Sequence, residues 1–135
     1  MKNTLSILIC FIIIMTSCES QPTYETLTDY PVYEGTDLGF TYTPKETAFR
    51  PWSPAAQEVK LNIYSAGNGD NLESTYKMKR DDAGTWTFKA SGDLQDKYYT
   101  YQVMQNGEWL QEKPDLYAVA VGVNGQRSMI VDLDE

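Results

Sequence analysis

The chain has 135 residues, with 19 acidic and 11 basic side chains, no histidine, and a net charge of −8 at neutral pH. This acidic balance argues against nucleic acid as a partner, because phosphates favour clustered lysine and arginine. The lack of histidine excludes Ser-His-Asp and Cys-His catalysis and histidine-ligated zinc. We predict no metal and no cofactor, whereas neutral glycans remain possible ligands.

Residues 1–17 are typical of a secretory leader. Lys2 gives a positive start, and an apolar stretch follows over residues 5–15. Signal-peptide cores have about 7–15 apolar residues, whereas a transmembrane helix needs roughly 18 or more. The alternative is a buried core helix, but no later segment has the helical periodicity to pack against one. We therefore expect residues 1–17 to be a signal peptide and the protein to be exported.

A cysteine follows this leader directly. The sequence Met15-Thr16-Ser17-Cys18 resembles the lipobox of bacterial lipoproteins, with methionine in place of the usual leucine. The resemblance implies cleavage before Cys18, lipidation of its thiol, and anchoring to the bacterial envelope, on either the periplasmic or the outer, cell-surface face. The alternative is an ordinary signal peptide that ends beside a cysteine.

Processing at Cys18 would change the charge and the cysteine content. The leader contains one basic and no acidic residue, so the remaining chain has a net charge of −9. This charge disfavours contact with anionic lipid except through the acyl chains. The other cysteine, Cys10, lies in the leader, so the processed chain cannot form an internal disulfide.

The remaining chain divides into a tether and one domain. Residues 18–32 are polar, contain two prolines and have no sustained period, which predicts a flexible tether. Residues 33–135 consist of short runs of alternating apolar and polar residues separated by turn residues. That pattern predicts an all-β sandwich or barrel of seven or eight strands, without an amphipathic helix.

The alternation also predicts which side chains point inward. The clearest strand is Val59–Ile63, and the last two runs are Ala118–Val121 and Ser128–Leu133. Other residues predicted to face the core are Leu38, Phe40, Tyr42, Tyr76, Met78, Trp86, Phe88, Ala90, Tyr99, Tyr101 and Val103.

Four ordered blocks of this domain resemble the N-terminal module of type I pullulanases. The blocks are Tyr33–Gly39, Phe49–Pro54, Gly92–Tyr101 and Asp115–Arg127, followed by the strand Ser128–Leu133. Three residues depart from the family pattern, namely Pro51, Ser53 and Leu116. Because proline lacks an amide proton, Pro51 predicts an edge strand or a bulge at that point.

The resemblance implies the immunoglobulin-like β-sandwich of the isoamylase-type N-terminal module, grouped with starch- and glycogen-binding modules. In that family a catalytic barrel follows and hydrolyses α-1,6 linkages. A (β/α)₈ barrel needs about 250 residues, so residues 33–135 cannot contain one. We therefore expect no enzyme in this chain, and a partnership with the barrel of a debranching enzyme.

The acidic residues do not point to catalysis. Glycoside hydrolysis needs two carboxyl groups flanking the scissile bond, with their pKa values driven apart. Nineteen acidic side chains guarantee some neighbouring pair by chance. Asp81 and Asp82 lie in a predicted turn, as do Asp93 and Asp96, and solvated turn carboxylates are the simpler interpretation.

Glycan binding through exposed aromatic rings is the alternative function. Asn106-Gly107-Glu108-Trp109 resembles a segment of glycogen-binding modules in which the tryptophan is a stacking platform. Those modules carry an upstream lysine where this chain has Gln102, and a second tryptophan that residues 66–72 lack. Tyr98 is predicted to face outward, where it could support a ligand or a barrel. Trp86 and Trp52 are predicted to lie in the core.

Two hypotheses therefore remain from the sequence. One is the leading module of a debranching enzyme, which spaces or packs against a barrel absent from this chain. The other is a self-sufficient surface lipoprotein that captures an α-glucan such as pullulan or amylopectin. A generic adhesion sandwich fits less well, because the motif blocks match in order. If a barrel normally covers one face, that face should show an apolar patch of several hundred Å².

Overall fold

A computed structural model describes residues 22–134 as two antiparallel sheets packed into a sandwich. In these residues the strands are β1 (Gly39–Tyr42), β2 (Glu46–Arg50), β3 (Glu58–Tyr64), β4 (Leu72–Lys77), β5 (Lys79–Arg80), β6 (Trp86–Ser91), β7 (Tyr98–Gln105), β8 (Glu108–Trp109) and β9 (Ser128–Met129). The smaller sheet has the order β1-β2-β6-β5, and the larger has β4-β3-β7-β8, with β9 also paired to β7. The predicted leader and Cys18 lie outside the described residues.

The all-β prediction is confirmed. Within residues 22–134 the helical elements are three 3₁₀ turns of three residues each, and no helix there has the length and apolar character needed to span a bilayer. Residues 22–134 contain nine strands instead of the predicted seven or eight, because the count includes three strands of only two residues each, β5, β8 and β9.

Of the last two predicted strands, the first does not form and the second is shorter than expected. Ala118–Val121 forms no strand, and its only ladder contact is an isolated bridge between Val121 and Ser128. Ser128–Leu133 forms a strand only over its first two residues, and Ile130 continues the contact by backbone hydrogen bonds with Asp96 and Lys97. The alternation misled because the side chains of Val119 and Val121 point to solvent, 59% and 54% exposed, instead of into the core.

The core lies between the inward faces of the two sheets. The predicted core residues Trp86, Tyr99 and Tyr101 are buried, as are Phe49 and Ile130. The ring of Tyr99 on the larger sheet meets that of Phe49 on the smaller sheet, with centroids 5.1 Å apart in an edge-to-face arrangement. Such aromatic pairs add about 0.5–1.5 kcal/mol beyond the area they bury.

The prediction for Trp52 is wrong, and the bulge predicted as one alternative at Pro51 is absent. Trp52 is 38% exposed because alternation along this strand puts Phe49 and Pro51 inward and the following tryptophan outward. At Pro51 the register with β6 continues unchanged from the Phe49–Phe88 pair to the Trp52–Thr85 bridge, whereas the pairing with β1 has ended at Gly39–Arg50. The Pro51 carbonyl still accepts a bond from the Trp86 amide, so only one donor is lost.

The segment predicted as a tether contacts one end of the sandwich. The ring of Tyr30 lies 6.0 Å from that of Trp52 and 4.7 Å from that of Tyr24. Pro31 lies against Gly84, where a Cβ would approach its ring at 3.3 Å. Residues 24–31 therefore lie along the module instead of extending away from it.

A buried aspartate fixes the chain that leaves the larger sheet. Asp115 is 8% exposed, and its carboxylate accepts hydrogen bonds from the Tyr99 hydroxyl at 2.8 Å and the Tyr117 amide at 2.9 Å. Its own amide donates to Ser128 Oγ at 2.8 Å. Burial raises the pKa of the Asp115 carboxyl, and these hydrogen bonds only partly offset that effect.

The substitution Asp115→Asn tests this assignment. A carboxyl whose pKa rises on folding favours the folded state most below its unfolded pKa, about 3.9, and loses that contribution as pH rises through the folded pKa. The free energy of unfolding of Asp115→Asn, relative to the native sequence, should therefore increase between pH 3 and pH 7. Urea unfolding at several pH values measures it, and a pH-independent difference would contradict the assignment.

Candidate functional site

The outer face of the larger sheet carries the residues predicted to bind glycan. Because side chains alternate along a strand, those that do not enter the core form a polar surface on this face. Cross-strand neighbours on this surface are the pairs Lys60–Gln102, Asn62–Thr100 and Tyr64–Tyr98. The side chain of Thr75 on β4 joins it through a hydrogen bond to Asn62 Oδ1 at 2.8 Å.

Trp109 lies at one end of this surface with a lysine over its ring. The residue is half-buried and pairs with Met104 across β7 and β8. The ammonium of Lys60 lies 3.7 Å from the centroid of the Trp109 ring, and the Gln102 side chain donates instead to the Leu110 carbonyl at 3.0 Å. Lys60, the cross-strand neighbour of Gln102, therefore places a positive charge beside Trp109, whereas Gln102 provides none.

Tyr98 begins β7, at the end of that strand opposite to the Met104 that pairs with Trp109. It is six residues from Met104, which corresponds to about 20 Å along β7. Its ring is half-buried beneath two loops, because a Cβ on Gly67 or Gly122 would lie 3.0 Å from Tyr98 Cε1. Tyr98 and Trp109 share a face but cannot contact the same sugar ring.

Glu112 organises the centre of this face. Its Oε2 accepts hydrogen bonds from Tyr64 at 2.5 Å, Thr100 at 2.7 Å and Asn62 at 3.0 Å. Burial alone would raise the pKa of Glu112, but these three donors, together with the positive charge of Arg127, hold it below its ordinary value. Sequence reasoning missed this residue, which gives no motif and acts through residues distant in the chain.

Arg127 connects this face to the neighbouring loop. Its guanidinium lies 3.5 Å from the centroid of the Tyr64 ring and donates to the carbonyls of Ala66 and Gly69, both at 2.7 Å. It also donates to the Asn71 side chain at 2.8 Å. These bonds hold the loop of residues 66–72, which lacks an aromatic residue, beside the face that Glu112 organises.

The carboxylates on the smaller sheet form a salt bridge, and do not form an acid–base pair. Asp37 and Asp81 both bind Arg50, at 2.9 and 2.8 Å, within a concavity of about 640 Å³. A hydrogen bond from Tyr33 and the contact with Arg50 lower the pKa of Asp37, and Arg50 lowers that of Asp81. A glycosidic general acid needs a raised pKa, which neither carboxyl has.

An exposed apolar strip follows Asp115. We define the apolar strip as Leu116, Tyr117, Val119, Val121 and Val123, whose exposed fractions run from 50% to 95%. Beside it a cavity of about 160 Å³ is lined by Leu116, Tyr117 and other residues that include the polar Ser53, Lys113 and Asp115. The predicted apolar patch of several hundred Å² stays a prediction.

The residues assembled here are those of a sandwich module with a polar, aromatic-flanked sheet face. A family model for carbohydrate-binding module 48 (isoamylase N-terminal domain) matches residues 37–121. The chain belongs to this family.

The particular relatives are pullulanases. The chain is 32% identical over 103 residues to a pullulanase of Bacillus subtilis, covering 76% of this chain and 14% of that protein. A pullulanase of Klebsiella aerogenes is 33% identical, over 76% of this chain and 10% of that protein. The resemblance to the pullulanase N-terminal module is therefore confirmed.

Solved structures agree with the sequence relatives. A pullulanase from Paenibacillus barengoltzii, in complex with maltohexaose and α-cyclodextrin, superposes with a TM-score of 0.74 and 43% identity, over 78% of this chain and 16% of that one. A pullulanase from Bacillus acidopullulyticus gives 0.73 and 42%, over 78% and 13%. The chain thus spans only 10% to 16% of the length of these relatives.

The substitution Glu112→Gln tests the centre of the outer face. A carboxylate whose pKa falls on folding stabilises above its unfolded pKa, about 4.3, and loses that contribution as pH falls through the folded pKa. We expect Glu112→Gln to lower the free energy of unfolding by about 1–3 kcal/mol at pH 7, and by less at pH 3. The matched variant Glu108→Gln, on an exposed residue, should change it by less than about 0.5 kcal/mol. Equal losses in both variants would contradict the role of Glu112.

Proposed function

We propose that this chain is a non-catalytic module of an α-1,6-glucan debranching system, which packs against the catalytic barrel of a pullulanase-type enzyme during starch and α-glucan breakdown. The apolar strip is the observation that carries the proposal. Its five large side chains are exposed in residues 22–134, and surfaces of this kind mark protein contact sites.

A chimera tests the packing role. Residues 33–135 would replace the matching stretch of the Bacillus subtilis pullulanase, and the half-life of pullulan hydrolysis would be measured at elevated temperature. Val119→Asp with Val121→Asp should shorten this half-life, because each carboxylate buried without a partner costs at least about 1–3 kcal/mol. Leu72→Asp, on the equally exposed edge of β4, is the control. A chimera that tolerates the strip variant as well as the control would refute the proposal.

A second candidate is direct binding of α-glucan by the outer face. Trp109 and Lys60 favour it, since an aromatic ring beside a flexible donor can stack on a sugar and bind its hydroxyls. The Paenibacillus barengoltzii enzymes were crystallised with maltotriose, maltotetraose and maltohexaose, which supports this ligand class for the family.

Affinity electrophoresis tests glycan binding. The chain should migrate more slowly in gels containing amylopectin or pullulan, and Trp109→Ala should weaken its affinity about two- to tenfold, as expected for loss of about 0.5–1.5 kcal/mol from a stacked ring. Trp52→Ala serves as the control, because Trp52 is not on the outer face of the larger sheet. A native chain that the polysaccharides do not retard would end this candidate.

The proposal also includes export and lipid attachment at Cys18, to either the periplasmic or the outer face of the envelope. The lipobox-like sequence and the apolar leader support it. Attached in this way, the module would hold a debranching enzyme or its α-glucan close to the membrane.

A further inference from the structure

The N-terminal segment exposes large apolar side chains at the end of the sandwich. We define the N-terminal apolar patch as Leu27, Tyr30, Val32 and Trp52. Leu27 is 81%, Val32 74% and Trp52 38% exposed. All four residues line one concavity of about 320 Å³, which Tyr117 closes on the side of the apolar strip.

Local hydrogen bonds hold the patch in this form. The turn Leu27–Asp29 begins at Thr26, whose amide and hydroxyl both donate to Asp29 Oδ2, at 2.8 and 2.9 Å. The amide of Tyr30 donates to the Leu27 carbonyl at 3.4 Å. Leu27 is thus presented to solvent by a structured turn.

The position of the patch along the chain indicates what it faces. Cys18 precedes Pro22 by four residues, and four residues reach at most about 14 Å. A lipid on Cys18 would therefore hold Pro22, and the patch-bearing turn that follows it, close to the bilayer surface.

We propose that the N-terminal apolar patch rests on a neutral lipid surface and orients the module against the membrane. This inference depends on the lipid attachment at Cys18 in the proposed function. Tryptophan and tyrosine are enriched at membrane interfaces. A covalent anchor makes the contact intramolecular, so a patch too weak to bind lipid by itself still binds when tethered.

The charge of the chain selects the kind of lipid. Glu25 and Asp29 flank Leu27, and the chain from Cys18 onward has a net charge of −9. An anionic surface would repel it, whereas a zwitterionic surface would not. The apolar strip, assigned above to a catalytic barrel, meets the patch at Tyr117. Val121 and Val123 of the strip do not line the concavity of the patch, so they can be tested separately from it.

Tryptophan quenching tests the inference. The chain from residue 18 has a single thiol, which can be coupled to a maleimide lipid in phosphatidylcholine vesicles with plain or brominated acyl chains. Trp109→Phe removes one fluorophore, and Trp86 is buried in the core. Brominated vesicles should then reduce the emission of Trp52 in the coupled chain, and Trp52→Phe should abolish that loss. The uncoupled chain should show no quenching.

Matched variants identify the residues responsible. Leu27→Ser with Val32→Ser should reduce the quenching, whereas Val121→Ser with Val123→Ser, on the apolar strip, should leave it unchanged. Equal emission in plain and brominated vesicles would overturn the inference, as would equal effects of the two variants. Emission that responds to an added pullulanase but not to lipid would also overturn it. Because the coupling is chemical, this result is independent of natural acylation at Cys18. That acylation is rejected if the native chain incorporates no labelled palmitate, or if Cys18→Ala incorporates as much as the native chain.

Discussion

The structure depends on one buried contact, the hydrogen bond from the Tyr99 hydroxyl to Asp115. The Tyr99 ring is fully buried and touches Phe49 on the opposite sheet, so the same side chain joins the two layers and orients the chain beyond β8. Without a partner, the Asp115 carboxylate could not remain in the core. The bond therefore determines where the apolar strip emerges, and with it the surface that we assign to a catalytic domain.

The alternation of apolar and polar residues along the strands predicts the core well but predicts the surface poorly. Alternation alone predicts that Tyr99 and Tyr101 point inward, and both are buried. The same reasoning fails at Ala118–Val121, because alternation of apolar residues cannot distinguish a face covered by the second sheet from one left open for a partner. At Trp52 the alternation is the better guide. Counted from Phe49 it places Trp52 outside, as observed, whereas the resemblance of Phe49–Pro54 to the family strand implies a place in the core.

The site could be predicted only in part, for reasons of register. Trp109 follows a recognisable turn, so a local motif was enough to indicate it, and its role in binding stays a prediction. The cation over its ring comes from Lys60, which is 49 positions earlier in the chain and becomes a neighbour only when β3 pairs with β7. The same pairing brings together Asn62, Tyr64 and Thr100, the three donors to Glu112. Glu112 itself lies beyond β8 and is placed by the bridge between Lys113 and Tyr101, so the pairing of β3 with β7 would indicate Lys60 but not Glu112.

The backbone of the apolar strip is secured independently of its side chains. The carbonyl of Ala120 accepts a bond from Met129 at 2.8 Å, and the amide of Gly122 donates to the Arg127 carbonyl at 2.8 Å. Val121 lies between these anchors and is 54% exposed, and neither it nor Val119 or Val123 belongs to the buried core. Substitution of these valines should therefore alter the surface offered to a partner while the scaffold that carries them stays in place.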